Sequence, residues 1–171
     1  MQYEHITHPF EPVFDAESEI LILGSLPSVK SREQEFYYGH SQNRFWKVLA
    51  AIYRESVPQT REEKCAFLLR RHVALWDVIA ACDIIGSSDA SIKNVVPNDL
   101  NLILDGTSVR KICLNGGKAY ELFCRYCKLS DAEQSACEIV RLPSTSPANA
   151  AWSLDRLVGE WGRSLLEHDF I

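Results

Sequence analysis

Four short apolar runs divide the chain, at residues 20–23, 73–76, 112–114 and 138–142. Each has the length of a strand and ends in polar or turn-forming residues, so each predicts a β-strand, the first fully buried. Between them apolar positions recur at helical spacing. Phe45, Val48, Leu49, Ile52 and Tyr53 form one such face. Residues 61–71 predict a second helix with Ala66, Leu68 and Leu69 inward, and Pro97 opens a short third helix after a turn over residues 94–98. Residues 118–127 give the fourth, and Leu154, Leu157, Val158, Trp161 and Leu165 mark the last. Strands alternating with helices predict an α/β fold, a mainly parallel sheet covered on both faces. Ligands in such folds bind beyond the carboxyl ends of the strands.

Four loops leave those ends. The first is Gly24-Ser25-Leu26-Pro27-Ser28, whose small residues let backbone N–H groups approach a ligand. Phe36-Tyr37-Tyr38-Gly39-His40 follows, three aromatics able to stack on a flat ligand, and then Asn43 and Arg44 at the head of a helix. Together these suit a nucleotide with its phosphate. The second loop carries Asp77, the third is Asn115-Gly116-Gly117-Lys118, and the fourth runs from Leu142 through Ser144, Thr145 and Ser146 to Asn149. Each has an ordinary structural reading alone: a tight turn at Gly116-Gly117, a helix cap at Asp77, a locally bonded His40, half-buried tyrosines. Their convergence at one rim of the sheet raises the functional reading.

Composition narrows the field. With 171 residues, 46% hydrophobic and 24% charged, the chain predicts one globular domain over residues 1–171. No apolar run nears the roughly 20 residues of a membrane span. Glu4 and His5 stand where a signal peptide would carry basic and then apolar residues, which predicts a cytosolic protein without membrane association. The net charge of −5 argues against a surface coated in positive potential. Lys30, Arg32, Arg44 and Lys47 crowd the opening motif, so a nucleic-acid reading predicts a small basic face on an acidic body. Of the six cysteines only Cys124 and Cys127 are closely spaced, which is too few for a four-thiolate metal site. They fall at the helical spacing of Ala119, Leu122 and Phe123, and core packing is the expected role.

The blocks Gly24 to Ser28, Phe36 to His40, Asn43-Arg44-Phe45-Trp46-Lys47 and Leu142 to Asn149, in this order and spacing, resemble the uracil-DNA glycosylase superfamily. They are similar to its mismatch-specific branch and closer to its hypoxanthine-DNA glycosylase branch. The resemblance implies a three-layer α/β/α sandwich around a four-stranded parallel sheet. It implies hydrolysis of the N-glycosidic bond of a deaminated base in DNA, leaving an abasic site, with no metal or organic cofactor. Tyr38 falls where relatives stack on the flipped base, with Leu26, Phe36 and His40 beside it. Ser144, Thr145, Ser146 and Asn149 fall where relatives meet the DNA backbone, with Arg44 and Lys47 as phosphate partners.

One departure bears on mechanism. Many relatives carry Asn or Asp at the position of Leu26, to hold or activate water, and Leu26 can do neither. In the hypoxanthine branch catalytic weight moves to an asparagine that maps onto Asn43, with Ser25 as the first-loop candidate beside it. Asp77 is the candidate acceptor for the N1–H that distinguishes hypoxanthine from adenine. The expected enzyme is a monomeric, monofunctional hydrolase acting on DNA with deaminated bases. The alternatives are a uracil or mixed-substrate glycosylase, a DNA-lesion-binding module of little catalytic power (which Leu26 favours), and a serine hydrolase built on Ser25 and His40. The last lacks the Gly-x-Ser-x-Gly elbow.

Overall fold

The computed structural model describes residues 2–166. In chain order the elements are β1 (Glu4–Thr7), β2 (Ile20–Gly24), α1 (Val29–Glu33), α2 (Phe45–Tyr53), α3 (Arg61–Arg70), β3 (Val73–Asp77), β4 (Ile79–Ile84), β5 (Lys93–Pro97), α4 (Asn101–Leu104), β6 (Lys111–Asn115), α5 (Gly117–Tyr126), α6 (Asp131–Ala136), β7 (Glu138–Leu142) and α7 (Leu154–Leu166).

The four runs anticipated from sequence form one parallel sheet in the order β3-β2-β6-β7. Every residue of β2 and β3 is buried, as expected of parallel strands covered on both sides. From β2 the chain crosses to β3 on one side, and from β6 to β7 on the other. Right-handed crossovers therefore put α2 and α5 on opposite faces. Helix α7 returns to pack on α2, and its Leu157, Trp161 and Leu165 are buried. The register sets Gly24 beside Asp77 and Leu23 beside Leu114, so Gly24, Asp77 and Asn115 finish their strands at one level.

A second, three-stranded antiparallel sheet, β1-β4-β5, was not anticipated. The expected turn over residues 94–98 is largely β5, an edge strand whose Pro97 sits at its last position, where a missing N–H does least harm. The helix expected from Pro97 begins later, as α4. β1 pairs with β4 in register from Glu4 with Ile84 to Thr7 with Ala81. The following segment runs on beside the parallel sheet, with Val13 bridged to Leu75. In α3 Phe67 and Leu68 are buried and Leu69 packs against the core as expected, whereas Ala66 faces solvent. In α5, Ala119, Leu122 and Phe123 are buried and Cys127 packs against the core, but Cys124 is exposed. No helix among the described residues is long and apolar enough to cross a membrane.

Candidate active site

A cleft of about 920 Å³ opens at the carboxyl end of the parallel sheet. It sits where the connections from β2 and β6 diverge to opposite sides, the place at which a doubly wound sheet leaves a crevice. Gly24 and Asn115, the last residues of those strands, both line it.

One wall is acidic and aromatic. Asp77 is buried, and its Oδ2 accepts from His8 Nε2 at 2.7 Å, with both side chains 4% exposed. Its Oδ1 faces the last residue of β2. A Cβ added to Gly24 would stand 2.5 Å from Asp77 Oδ1 and 2.7 Å from Tyr38 Oη, so glycine is required here for space. Tyr38 has φ of +54°, a left-handed conformation that costs an L-residue about 1–2 kcal/mol. Its ring lies against Phe45 with centroids 4.1 Å apart. Burial first, and the Asp77 carboxylate second, push the Tyr38 phenol far above its ordinary range, so its hydroxyl stays protonated. Asn115 lies close enough to favour the phenolate slightly, yet the geometry closes no hydrogen bond, and Tyr38 Oη is buried without a protein partner among the described residues.

The opposite wall is an ordered chain of hydrogen bonds. Thr145 N–H donates to Asn115 Oδ1 at 3.1 Å, which fixes that amide's orientation. Asn115 Nδ2 then donates to Thr145 Oγ1 at 3.1 Å, so the Thr145 hydroxyl proton is directed to Asn43 Oδ1, 2.9 Å away. Asn43 Oδ1 also accepts at 2.9 Å from the N–H of Phe45, the first residue of α2, in a local turn that leads into the helix. Both lone pairs of Asn43 Oδ1 are thereby occupied. Asn43 lines the cleft, and Nδ2, a donor, is what remains to meet a ligand.

Arg44 is committed elsewhere. Its guanidinium donates to the carbonyls of Ser146 (2.9 Å), Asn149 (3.1 Å), Thr145 (3.4 Å) and Trp152. It ties the last loop to the head of α2 instead of facing a phosphate. Arg32 holds the first loop in a similar way, donating to Pro27 O at 2.9 Å.

The structure brings together Ser25, Leu26, Tyr38, Asn43, Asp77, Ser144, Thr145, Ser146 and Asn149 around this one cleft. Thr145 is 0% exposed, so it positions Asn43 and cannot itself touch DNA. Ser144 and Asn149 brace their own loop: Ser144 Oγ accepts from Ser146 N–H, and Asn149 Nδ2 donates to Ser144 O. Phe36 belongs to the core, 5% exposed and packed against Phe10, Tyr37 and Trp46. His40 lies outside the cleft lining, its Nδ1 accepting from Gln42 N–H. Lys47 is exposed on α2, away from the lining. The anticipated basic face of Lys30, Arg32, Arg44 and Lys47 does not border the cleft; the cations that do are Lys118 and Arg141. Sequence reasoning missed Arg141, whose guanidinium crosses Gly117, and missed His8, a lone histidine with no local pattern around it.

The Uracil DNA glycosylase superfamily profile matches residues 11–162. A protein of Methanosarcina acetivorans named hypoxanthine DNA glycosylase is 36% identical over 160 residues, covering 91% of this chain and 96% of that one. One of the same name from Methanosarcina barkeri is 37% identical over 110 residues, 64% of this chain and 70% of its own length. The solution NMR structure of a candidate uracil DNA glycosylase from M. acetivorans superposes with a TM-score of 0.76 at 34% identity, covering 93% of this chain and 96% of that one. Fold, cleft and relatives agree: this chain belongs to the uracil DNA glycosylase superfamily.

Proposed function

We propose that the protein removes hypoxanthine from DNA, hydrolysing the N-glycosidic bond of deoxyinosine to leave an abasic site. The observation that carries this reading is the pairing, across one cleft, of an acceptor and a donor with no competing partner among the described residues. Asp77 Oδ1 is the acceptor and Asn43 Nδ2 the donor. Two relatives bear the name hypoxanthine DNA glycosylase. A cleft of about 920 Å³ has room for an extruded purine nucleotide.

A base inside a duplex is out of reach, so the nucleotide must rotate out, at a cost of a few kcal/mol that is least for a mispaired base. The Tyr38 ring is the candidate stacking surface. Hypoxanthine offers N1–H, which Asp77 Oδ1 accepts; adenine offers a lone pair there and would leave two acceptors opposed. As the bond from C1′ to N9 breaks, its electron pair goes to the base. The Asn43 N–H, aimed by Thr145 and Phe45, steadies that charge as a preorganised dipole. Asn43 cannot take a proton from water, because its oxygen is occupied. The sugar cation takes up water without a strong base, and the water's proton leaves to the base or solvent. Lys118, Arg141 and the Ser146 loop face the flanking phosphates.

The test is a set of duplex oligonucleotides carrying inosine, xanthine, uracil or only normal bases, incubated with excess enzyme. Free hypoxanthine should be released fastest, with the strand intact until alkali cleaves the abasic site. Dominant uracil release would overturn the substrate assignment. Tight binding of the inosine duplex without release of any base would overturn the enzyme assignment.

A further inference from the structure

We infer that His8 is a positioning residue for base recognition: it fixes Asp77 so that a single carboxylate oxygen faces the cleft. This rests on the function proposed above and deepens it. His8 precedes residue 11, where the superfamily match begins, and comes from the segment between β1 and the parallel sheet.

The geometry is closed on every side. His8 Nε2 meets Asp77 Oδ2 at 2.7 Å, with both side chains 4% exposed. A carboxylate only accepts, so Nε2 carries the proton. The imidazole is held in turn by Phe10, whose carbonyl lies 2.9 Å and whose N–H lies 3.2 Å from Nδ1, and by the Phe10 and Tyr37 rings at 5.7 and 5.8 Å. His8 N–H donates to Ala80 O at 2.8 Å, which pins the backbone to β4. Asp77 cannot rotate about its carboxyl bond without losing His8. Its other oxygen, Oδ1, stays beside Gly24 and the Tyr38 hydroxyl, which has no partner among the described residues. A buried carboxylate with one oxygen satisfied and the other held toward the cleft is selective for a base that brings an N–H of its own. Without His8 the carboxylate turns freely and Oδ2 loses its partner, so the base meets no fixed acceptor.

The probe pair is inosine against 1-methylinosine in the same duplex; the methyl group removes the N1–H and leaves the glycosidic bond and the imidazole ring that bears it unchanged. Wild-type enzyme should release hypoxanthine about tenfold or more faster than 1-methylhypoxanthine, as loss of a buried hydrogen bond requires. His8→Leu should lower inosine excision by about the same factor and leave 1-methylinosine within about twofold, collapsing the ratio. His8→Gln, which can donate from a similar position, should restore most of it. Asp77→Asn presents a donor to N1–H and should also collapse the ratio, and it reads the same oxygen if His8→Leu does not fold. An equal fall on both substrates would assign His8 a purely structural role and overturn the inference, as would an unchanged inosine rate. Wild-type enzyme that releases uracil but not hypoxanthine would overturn the proposed substrate alone; the His8 variants are then read on uracil against 3-methyluracil, with the same two outcomes.

Discussion

On one side of the cleft, Asn43 is held by Phe45 N–H and by Thr145, which is itself oriented by Asn115. Backbone amides stand at both ends of that chain of bonds, so no rotamer or tautomer choice remains open. On the other side, Asp77 has one histidine on one oxygen, and Tyr38 has a buried hydroxyl with no partner among the described residues. The first wall satisfies its polar groups internally and exports one donor. The second leaves hydrogen-bonding capacity unmet. A preorganised dipole lowers a barrier because nothing must reorient during the reaction. Unmet capacity discriminates, because the wrong ligand leaves it unmet. Substitutions on the Asn43 side should therefore slow every base alike, and those on the Asp77 side should change which base is preferred.

The largest effect expected on this contrast is from Asn43→Asp. One carboxylate oxygen can keep the bonds from Phe45 N–H and Thr145, and the other replaces the donor with a negative acceptor. Excision should fall by about 10²–10³-fold, the usual consequence of losing a preorganised donor. The fall should be alike for inosine and any slower base, with affinity for abasic DNA little changed. Single-turnover rates measure it. Activity equal to or above wild type would mean that this residue acts on water as a base, and the polarity argument would fail.

Arg44 separates support from contact. Lysine keeps the charge but lacks the planar fork that reaches four carbonyls. Arg44→Lys should cost about 2–3 kcal/mol of stability by urea denaturation, the scale of losing charge-assisted bonds at a part-buried site. Excision should fall as the last loop loosens. Stability within about 0.5 kcal/mol of wild type, with DNA binding weakened in the same preparation, would return Arg44 to the phosphate.

The two walls were unequally legible in the sequence. The inner strands β2, β3 and β6 announced themselves because burial on both faces demands apolar runs, and the loops at their ends then pointed to a rim. Asn43 was found through its neighbourhood, but its polarity depends on Thr145, 102 residues away, which no local pattern connects to it. Phe36 and Tyr37 share a run of aromatics with Tyr38, yet only Tyr38 takes the left-handed backbone, and Phe36 turns into the core. Arg44 read as a phosphate partner because a charge near a motif says nothing of which carbonyls surround it. β5 has the sequence Lys-Asn-Val-Val-Pro, too short and polar to read as a strand until β4 lies beside it. His8 was invisible for the same reason: its partner is 69 residues away.

The smallest expected effect is the sharpest test of the unmet-capacity argument. Tyr38 Oη is buried without a partner among the described residues, a state that costs a hydroxyl about 1–3 kcal/mol when water is excluded. Tyr38→Phe removes the oxygen and keeps the ring on Phe45. The free protein should be as stable as wild type or more so, by up to about 1 kcal/mol, since part of that penalty disappears. Excision of the preferred base should nevertheless drop by about three- to tenfold, because the hydroxyl dipole beside Gly24 and Asp77 Oδ1 is lost from the surroundings of the acceptor that the base's N–H meets. Stability and activity thus move in opposite directions in a single variant, which ordinary packing damage does not produce. Thermal unfolding and single-turnover excision on the same preparation decide it. If both fall together, the hydroxyl already has a partner inside the protein, and the second wall is as satisfied as the first.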